Sequence, residues 1–261
     1  MVKALVLRAA GTNCDRETTY ALEQAGFSVD RVHVFRLMEN PAALKDYQFL
    51  VIPGGFSYGD DVAAGKILAN QMLYRLAEPL NDFVAADKLA LGICNGFQVM
   101  IKAGLLPWGK VEPAGAGRDA TLAWNDNGRF EDRWVHMRTD SDKCVFLPKG
   151  QIIALPIAHG EGKFVPREAS VLDALRSGDQ IPLRYVDEAG QSGGYPVNPN
   201  GSTDDIAGLC DPTGRIMGLM PHPERFIDPT QHPQWTRRQD VRDKGIGDGA
   251  VFFRRAAEYL S

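Results

Sequence analysis

The feature that most constrains this chain is a recurring unit in its first hundred residues: a short, continuous apolar run, a glycine-bearing loop, then a helical pattern. Val2–Leu7 is apolar apart from Lys3, is followed by Gly11-Thr12-Asn13, and gives way to a pattern through Thr18, Leu22, Ala25 and Phe27. Ser28–Phe35 reads as a second strand, with a short helix near Pro41–Lys45, and Phe49–Ile52 as a third that ends in Pro53-Gly54-Gly55. Residues 62–87 read as a pair of helices interrupted at Pro79, and Leu89–Ile93 runs into Cys94-Asn95-Gly96 and an apolar helix beginning at Phe97. Strands this uniformly apolar are buried on both faces, and the helices between them make successive strands parallel. The fold class that follows is a doubly wound α/β sheet with helices on both faces.

After Arg118 the texture changes to alternating segments: Arg133–Arg138, Ile152–Ile157, Ile181–Val186, Ile206–Leu209 and Ile216–Met220. These predict additional short antiparallel strands. Gly193–Ser202 is rich in turn residues, Asp228–Asp248 is a polar stretch read as a surface loop or partner-facing arm, and Gly249–Leu260 is an amphipathic helix. With no linker and no repeat, residues 1–261 are expected to form a single domain, a length at which α/β folds often remain one unit.

Composition narrows the function classes. A chain that is 44% hydrophobic and 24% charged, with a net charge of -4, resembles an ordinary soluble globular protein and offers no field for nucleic acid or a membrane. The four tryptophans are scattered and read as core or interface anchors, not as a base-stacking platform. No window is apolar enough to span a bilayer and no signal peptide is evident, so a cytoplasmic location is expected. Cys14, Cys94, Cys144 and Cys210 form no CxxC pair and have no histidine at zinc-finger spacing, so neither a disulfide scaffold nor a metal site is expected.

The chemistry converges on Gly92-Ile93-Cys94-Asn95-Gly96. A nucleophile between two glycines at a strand-to-helix junction sits on a tight turn that lifts its side chain out, and the start of the following helix favours a thiolate. The alternative is a small buried hydrophobe. A thiolate needs a base, and His222 in Met220-Pro221-His222-Pro223-Glu224-Arg225 supplies one, its direction fixed by flanking prolines. Glu224 lies two residues on, and in an extended segment it projects to the same side and orients the ring. Backbone N–H groups of Asn95 and of Gly55 are candidate donors to a tetrahedral oxyanion. His159, after a strand, is read as shaping the site, with a second base as the alternative.

On these residues the sequence resembles the class I, triad-type glutamine amidotransferases. A narrower resemblance covers nearly the whole chain. Gly11–Glu17, Gly54–Asp60, Gly92–Gln98, Gly128–Glu131, Pro156–Gly162, Asn198–Ser202 and Pro221–Arg225 look like the glutaminase part of phosphoribosylformylglycinamidine synthases. The resemblance implies that Cys94 forms a glutamyl thioester, His222 serves as its base, Glu224 orients that base and Gln98 helps to hold glutamine. It implies a synthetase partner, with room for a small bridging subunit, that converts formylglycinamide ribonucleotide to the amidine. ATP and magnesium would be used by that partner, and no cofactor would be bound by this chain, which lacks a GxxxxGK[ST] loop. Asp61–Gly65 resembles the fused large enzymes as much as free-standing subunits, and the 228–248 arm is longer than expected for small ones. The rivals are a glutaminase for another synthetase, a silent scaffold, or a cysteine-elbow redox sensor or chaperone; the last has no use for His222 and Glu224.

Overall fold

A computed structural model describes residues 1–112 and 118–261. The strands in chain order are β1 (Lys3–Arg8), β2 (Ser28–His33), β3 (Phe49–Ile52), β4 (Leu89–Ile93), β5 (Ala120–Ala123), β6 (Glu131–Thr139), β7 (Ile152–His159), β8 (Lys163–Pro166), β9 (Leu183–Val186), β10 (Ile206–Cys210) and β11 (Ile216–Leu219). The helices are α1 (Asp15–Gln24), α2 (Val34–Glu39), α3 (Lys66–Arg75), α4 (Ala77–Ala85), α5 (Asn95–Ala103), α6 (Ala169–Ser177), α7 (Gln239–Asp243) and α8 (Ala250–Leu260).

A nine-stranded sheet runs in the order β2-β1-β3-β4-β11-β10-β9-β6-β7, with β5 and β8 paired apart from it. The stretch from β2 to β11 is parallel and the stretch from β11 to β7 antiparallel. The expected doubly wound sheet with antiparallel strands in the C-terminal half is therefore one continuous structure. Every residue of β3, β4, β10 and β11 is buried, whereas β7 starts at an exposed Ile152 and then alternates between buried and half-buried positions. Texture and burial match only in part: β10 and β11, from the alternating half, are buried throughout, and β2, from the first hundred residues, has no buried position.

Several boundaries differ from the sequence expectation. The second strand ends at His33, and Val34–Glu39 is helical, with the His33 ring capping Phe35 N–H at 3.3 Å. Only Val34 and Leu37, three residues apart, are buried there, a helical spacing too short to register as a period. The 62–87 helix pair breaks at Leu76, not at Pro79, which lies inside the first turn of α4. The N–H groups of a first turn have no intrahelical acceptor, so proline costs nothing there. β5, β8 and α6 were not anticipated. The 228–248 segment carries α7 and is anchored: His232 packs on Trp134 and Phe226 with ring centroids 4.6 and 5.6 Å away, and Asp248 accepts Ala154 N–H at 2.9 Å.

The core positions the chemistry. Register sets Ile52 of β3 beside Gly92 of β4, and Ile93 of β4 beside Leu219 of β11. The C-terminal ends of β3, β4 and β11 therefore open at one level, the edge at which parallel sheets present ligands.

Candidate active site

Cys94 follows β4 at that edge. Its amide donates to Leu219 O at 2.8 Å, which ties it to β11, and its backbone is held at φ 50° and ψ −104°. For a residue with a Cβ this conformation is strained by about 1–3 kcal/mol and persists because its surroundings leave no alternative. A Cβ on Gly96 would lie 1.8 Å from Ile52 O, and one on Gly92 2.8 Å from Gly96, so α5 can start against β3 and β4 only because both residues are glycine. The sequence expectation of a tight elbow at this junction is met in the backbone.

His222 lies three residues beyond β11, its amide donating to Pro156 O at 2.9 Å. Its ring is buried, and Nδ1 donates to Glu224 Oε1 at 2.7 Å. The contact forms across a 3₁₀ turn, Pro223–Arg225, that begins directly after His222, and not along the extended segment expected from the sequence. Burial alone would lower the His222 pKa; the Glu224 carboxylate, followed by Cys94 and Cys14, overcomes this and holds it well above 6.5. Nε2 has no hydrogen-bond partner among the described residues. With Nδ1 committed to Glu224, it is the ring nitrogen left for proton exchange.

Cys94 lines a cavity of about 300 Å³ together with Gly55, Gln98, Trp124, His159 and Glu161. Gly55 has φ 140°, and a Cβ there would fall 2.7 Å from Asn13 N. Asn95 is the first residue of α5, where N–H groups lack intrahelical acceptors. Its side chain, not used in the sequence argument, accepts Ser57 N–H at 3.2 Å and donates to Asp60 Oδ1 and Gln98 Oε1, each at 3.0 Å. That fixes the 53–60 loop to the elbow. Gln98 Nε2 in turn donates to Glu161 O at 2.6 Å.

His159 is buried with Nδ1 3.2 Å from Asn125 Oδ1, and desolvation, helped by the charge of His222, pushes its pKa down to about 3. A ring so weakly basic stays neutral near pH 7 and is poorly matched to general-base work. Asn125 also donates to His159 O at 2.9 Å and accepts Gly162 N–H at 3.2 Å, so the pair shapes the 159–162 turn along the cavity. Trp124, expected as an anchor, is 67% exposed at the cavity wall.

Cys14, to which the sequence argument gave no role of its own, packs against the catalytic candidates. Its Sγ lies 4.0 Å from His222 Nδ1, receives a hydrogen bond from Arg225 Nη2 at 3.1 Å and is 3.2 Å from Asn13 Oδ1. Burial raises its pKa, against the lowering contact with His222, and keeps it a thiol. Cys14, His222 and Glu224 offer ligand atoms within 4.8 Å of one another, but the Arg225 guanidinium on Cys14 opposes a cation there. Its place in Gly11–Glu17 was the only sequence signal for this contact.

Likeness to known proteins places the chain in a family. The family of CobB/CobQ-like glutamine amidotransferase domains matches residues 1–260. The phosphoribosylformylglycinamidine synthase subunit PurQ of Dehalococcoides mccartyi is 42% identical over 260 residues, covering 99% of this chain and 97% of that protein. The phosphoribosylformylglycinamidine synthase of Drosophila melanogaster is 39% identical over 238 residues, covering 89% of this chain but 18% of the larger protein. Among solved structures, a chain of PurLQS from Thermotoga maritima superposes with a TM-score of 0.71 at 31% identity, covering 100% of this chain and 99% of that one. By sequence over nearly its whole length and by fold, the chain belongs to the CobB/CobQ-like glutamine amidotransferases, among the glutaminase subunits of phosphoribosylformylglycinamidine synthase.

Proposed function

We propose that the chain hydrolyses glutamine through Cys94, His222 and Glu224 and passes the ammonia to a synthetase that converts formylglycinamide ribonucleotide to the amidine. The observation that carries the assignment of the nucleophile is that, of the two cysteines bearing on the His222 ring, only Cys94 lines the cavity. Nε2 of His222 takes the Cys94 proton, and Sγ attacks the side-chain amide carbon of glutamine. The carbonyl electrons move to oxygen, where the N–H groups of Gly55 and Asn95 receive the developing charge. Collapse expels the amide nitrogen, which takes the proton from His222 and leaves as ammonia, and a glutamyl thioester remains on Cys94. Water then attacks the thioester, giving up a proton to His222, and glutamate departs with the thiol restored. Glu224 acts through His222, favouring the Nδ1–H tautomer and the cation. Gln98 helps to hold glutamine, and His159 shapes the pocket as a neutral ring.

Residues 1–261 are read as one amidotransferase domain, a reading supported by the continuous sheet. ATP and magnesium belong in this account to the synthetase polypeptide, with a small bridging subunit compatible with it. A cytoplasmic setting, expected from the sequence, completes the reading; among the described residues no helix is long and apolar enough to cross a membrane. Exposed rings of Phe56, Trp124 and Phe130 surround the cavity, apolar surface that a docked synthetase would cover. The test is glutamate release from glutamine by wild type and Cys94→Ala, with and without synthetase, ATP and formylglycinamide ribonucleotide. Release that needs Cys94 and rises with the complete synthetase is expected. Release by Cys94→Ala would sink the mechanism, and indifference to the synthetase would move the chain to another pathway.

A further inference from the structure

A second cavity lies one helical turn along α5 from the glutamine pocket. It has a volume of about 610 Å³, between α3 on one side and β5 with β8 on the other. Lys66, Lys102, Arg118 and Arg167 line it together with Asn70 and Thr121, and among the described residues no carboxylate does.

The cations are unevenly matched. Arg167 pairs with Asp119 at 2.9 Å. Among the described residues Arg118 donates to backbone carbonyls alone, Lys102 O at 3.0 Å and Glu112 O at 3.2 Å. Lys102 Nζ is buried with no hydrogen-bond partner among the described residues, and the carboxylate it faces, Glu161, is 4.0 Å away. Burial lowers the Lys102 pKa; Glu161 and Asp60 oppose this, and Lys66 adds to it. The Lys102 ammonium is closed to solvent where it lies against Glu161, so an anion in this cavity meets it only when the side chain turns from Glu161 toward the cavity, and the hydrogen bond then gained offsets the cost of its burial.

We propose that this cavity binds a phosphate-bearing small molecule, with Lys66, Lys102 and Arg118 as the receiving groups. Its volume falls in the usual range for small-molecule sites and exceeds what a bare phosphate needs. The site is wired to the glutamine pocket. Lys102 follows Gln98 by four residues on α5, and Glu161 lines the glutamine cavity while accepting Ala64 N–H at 3.3 Å. An anion that draws Lys102 away from Glu161 alters the charge on that shared wall, so occupancy of one cavity changes the affinity of the other.

The experiment is calorimetric titration of the full chain with inorganic pyrophosphate at low ionic strength, a readout independent of glutamine hydrolysis. Wild type is expected to bind saturably at one site, with Kd on the order of 1 mM or tighter. The Lys66→Gln/Arg118→Gln double variant, which changes neither the elbow nor the triad, is expected to bind at least about tenfold more weakly. A thermal melt checks its fold; should it fail, Lys66→Gln alone, whose side chain takes part in no ion pair among the described residues, serves for the comparison. No saturable binding by wild type, or equal affinity in a folded variant, overturns the proposal. A pyrophosphate-dependent change in KM for glutamine that the variant lacks would establish the coupling, and an unchanged KM at saturating pyrophosphate would overturn it.

Discussion

At the scale of single residues, the elbow depends on how closely the start of α5 approaches β3 at Gly96. A Cβ at position 96 would lie 1.8 Å from Ile52 O, a backbone atom that cannot swing away. Gly96→Ala is therefore expected to destabilise the fold by at least about 2 kcal/mol, at the upper end of ordinary overpacking, in chemical unfolding. The His222 pKa is raised in the folded chain, so its pairing with Glu224 adds stability that is fully present below the unfolded value of 6.5 and is lost as pH rises through the higher folded one. Glu224→Gln removes the main raising charge. Its stability relative to wild type should be lowest at acidic pH and recover as pH rises, a trend read from melts across pH; a difference independent of pH would contradict it. Glutamate release should fall less in Glu224→Ala than in His222→Ala, because removing the orienter leaves a base in place.

The residues legible from sequence were those whose partners are near in the chain or that mark a strand end. Gly92–Gly96 announces the elbow, and His222 with Glu224 announces a base and its orienter. Contacts made across the fold were not legible. Cys14 and His222 are separated by 208 positions, and nothing in Gly11–Glu17 says which side chain meets it. The side chain of Asn95 was invisible for a similar reason, since its partners Ser57 and Asp60 come from another strand's loop.

At the scale of elements, the uniform apolar runs match β3 and β4 to the residue, because burial on both faces leaves few polar positions to blur them, whereas β2, with no buried residue, ends two residues earlier than its pattern suggests. β5 and β8 escaped notice because each is four residues long and β5 alternates in burial, so its pattern merges with that of the surrounding loop. α6 was legible in principle, with Val171 and Leu175 buried at a spacing of four. The break between α3 and α4 falls at Leu76 and not at Pro79 because the first turn of a helix accepts proline. The buried strands carry most of the stability, so Leu91→Ala, in a fully buried β4, is expected to cost about 2–5 kcal/mol in chemical denaturation, with the cavity left unfilled. A cost under about 1 kcal/mol would mean that the sheet can collapse around the gap.

At the scale of the molecule, catalytic candidates from opposite ends of the chain meet because β4 and β11 are neighbours in one sheet. The sheet edge then needs a lid of some kind, and the exposed Phe56, Trp124 and Phe130 around the cavity fit that need better than the 228–248 arm, which is fastened to Trp134 and β7. Trp124→Ala is expected to raise the synthetase concentration needed for half-maximal stimulation of glutamate release, read as a ratio to the rate of the same variant alone so that any effect on glutamine binding cancels. An unchanged requirement would place the docking face elsewhere. The most direct test of the central claim is to quench the chain with acid during turnover of isotopically labelled glutamine and to map the labelled peptide by mass spectrometry. A glutamyl adduct on the peptide that contains Cys94, absent from Cys94→Ala, is the predicted result; label on Cys14, or turnover with no adduct under conditions where deacylation is slowed, would contradict it.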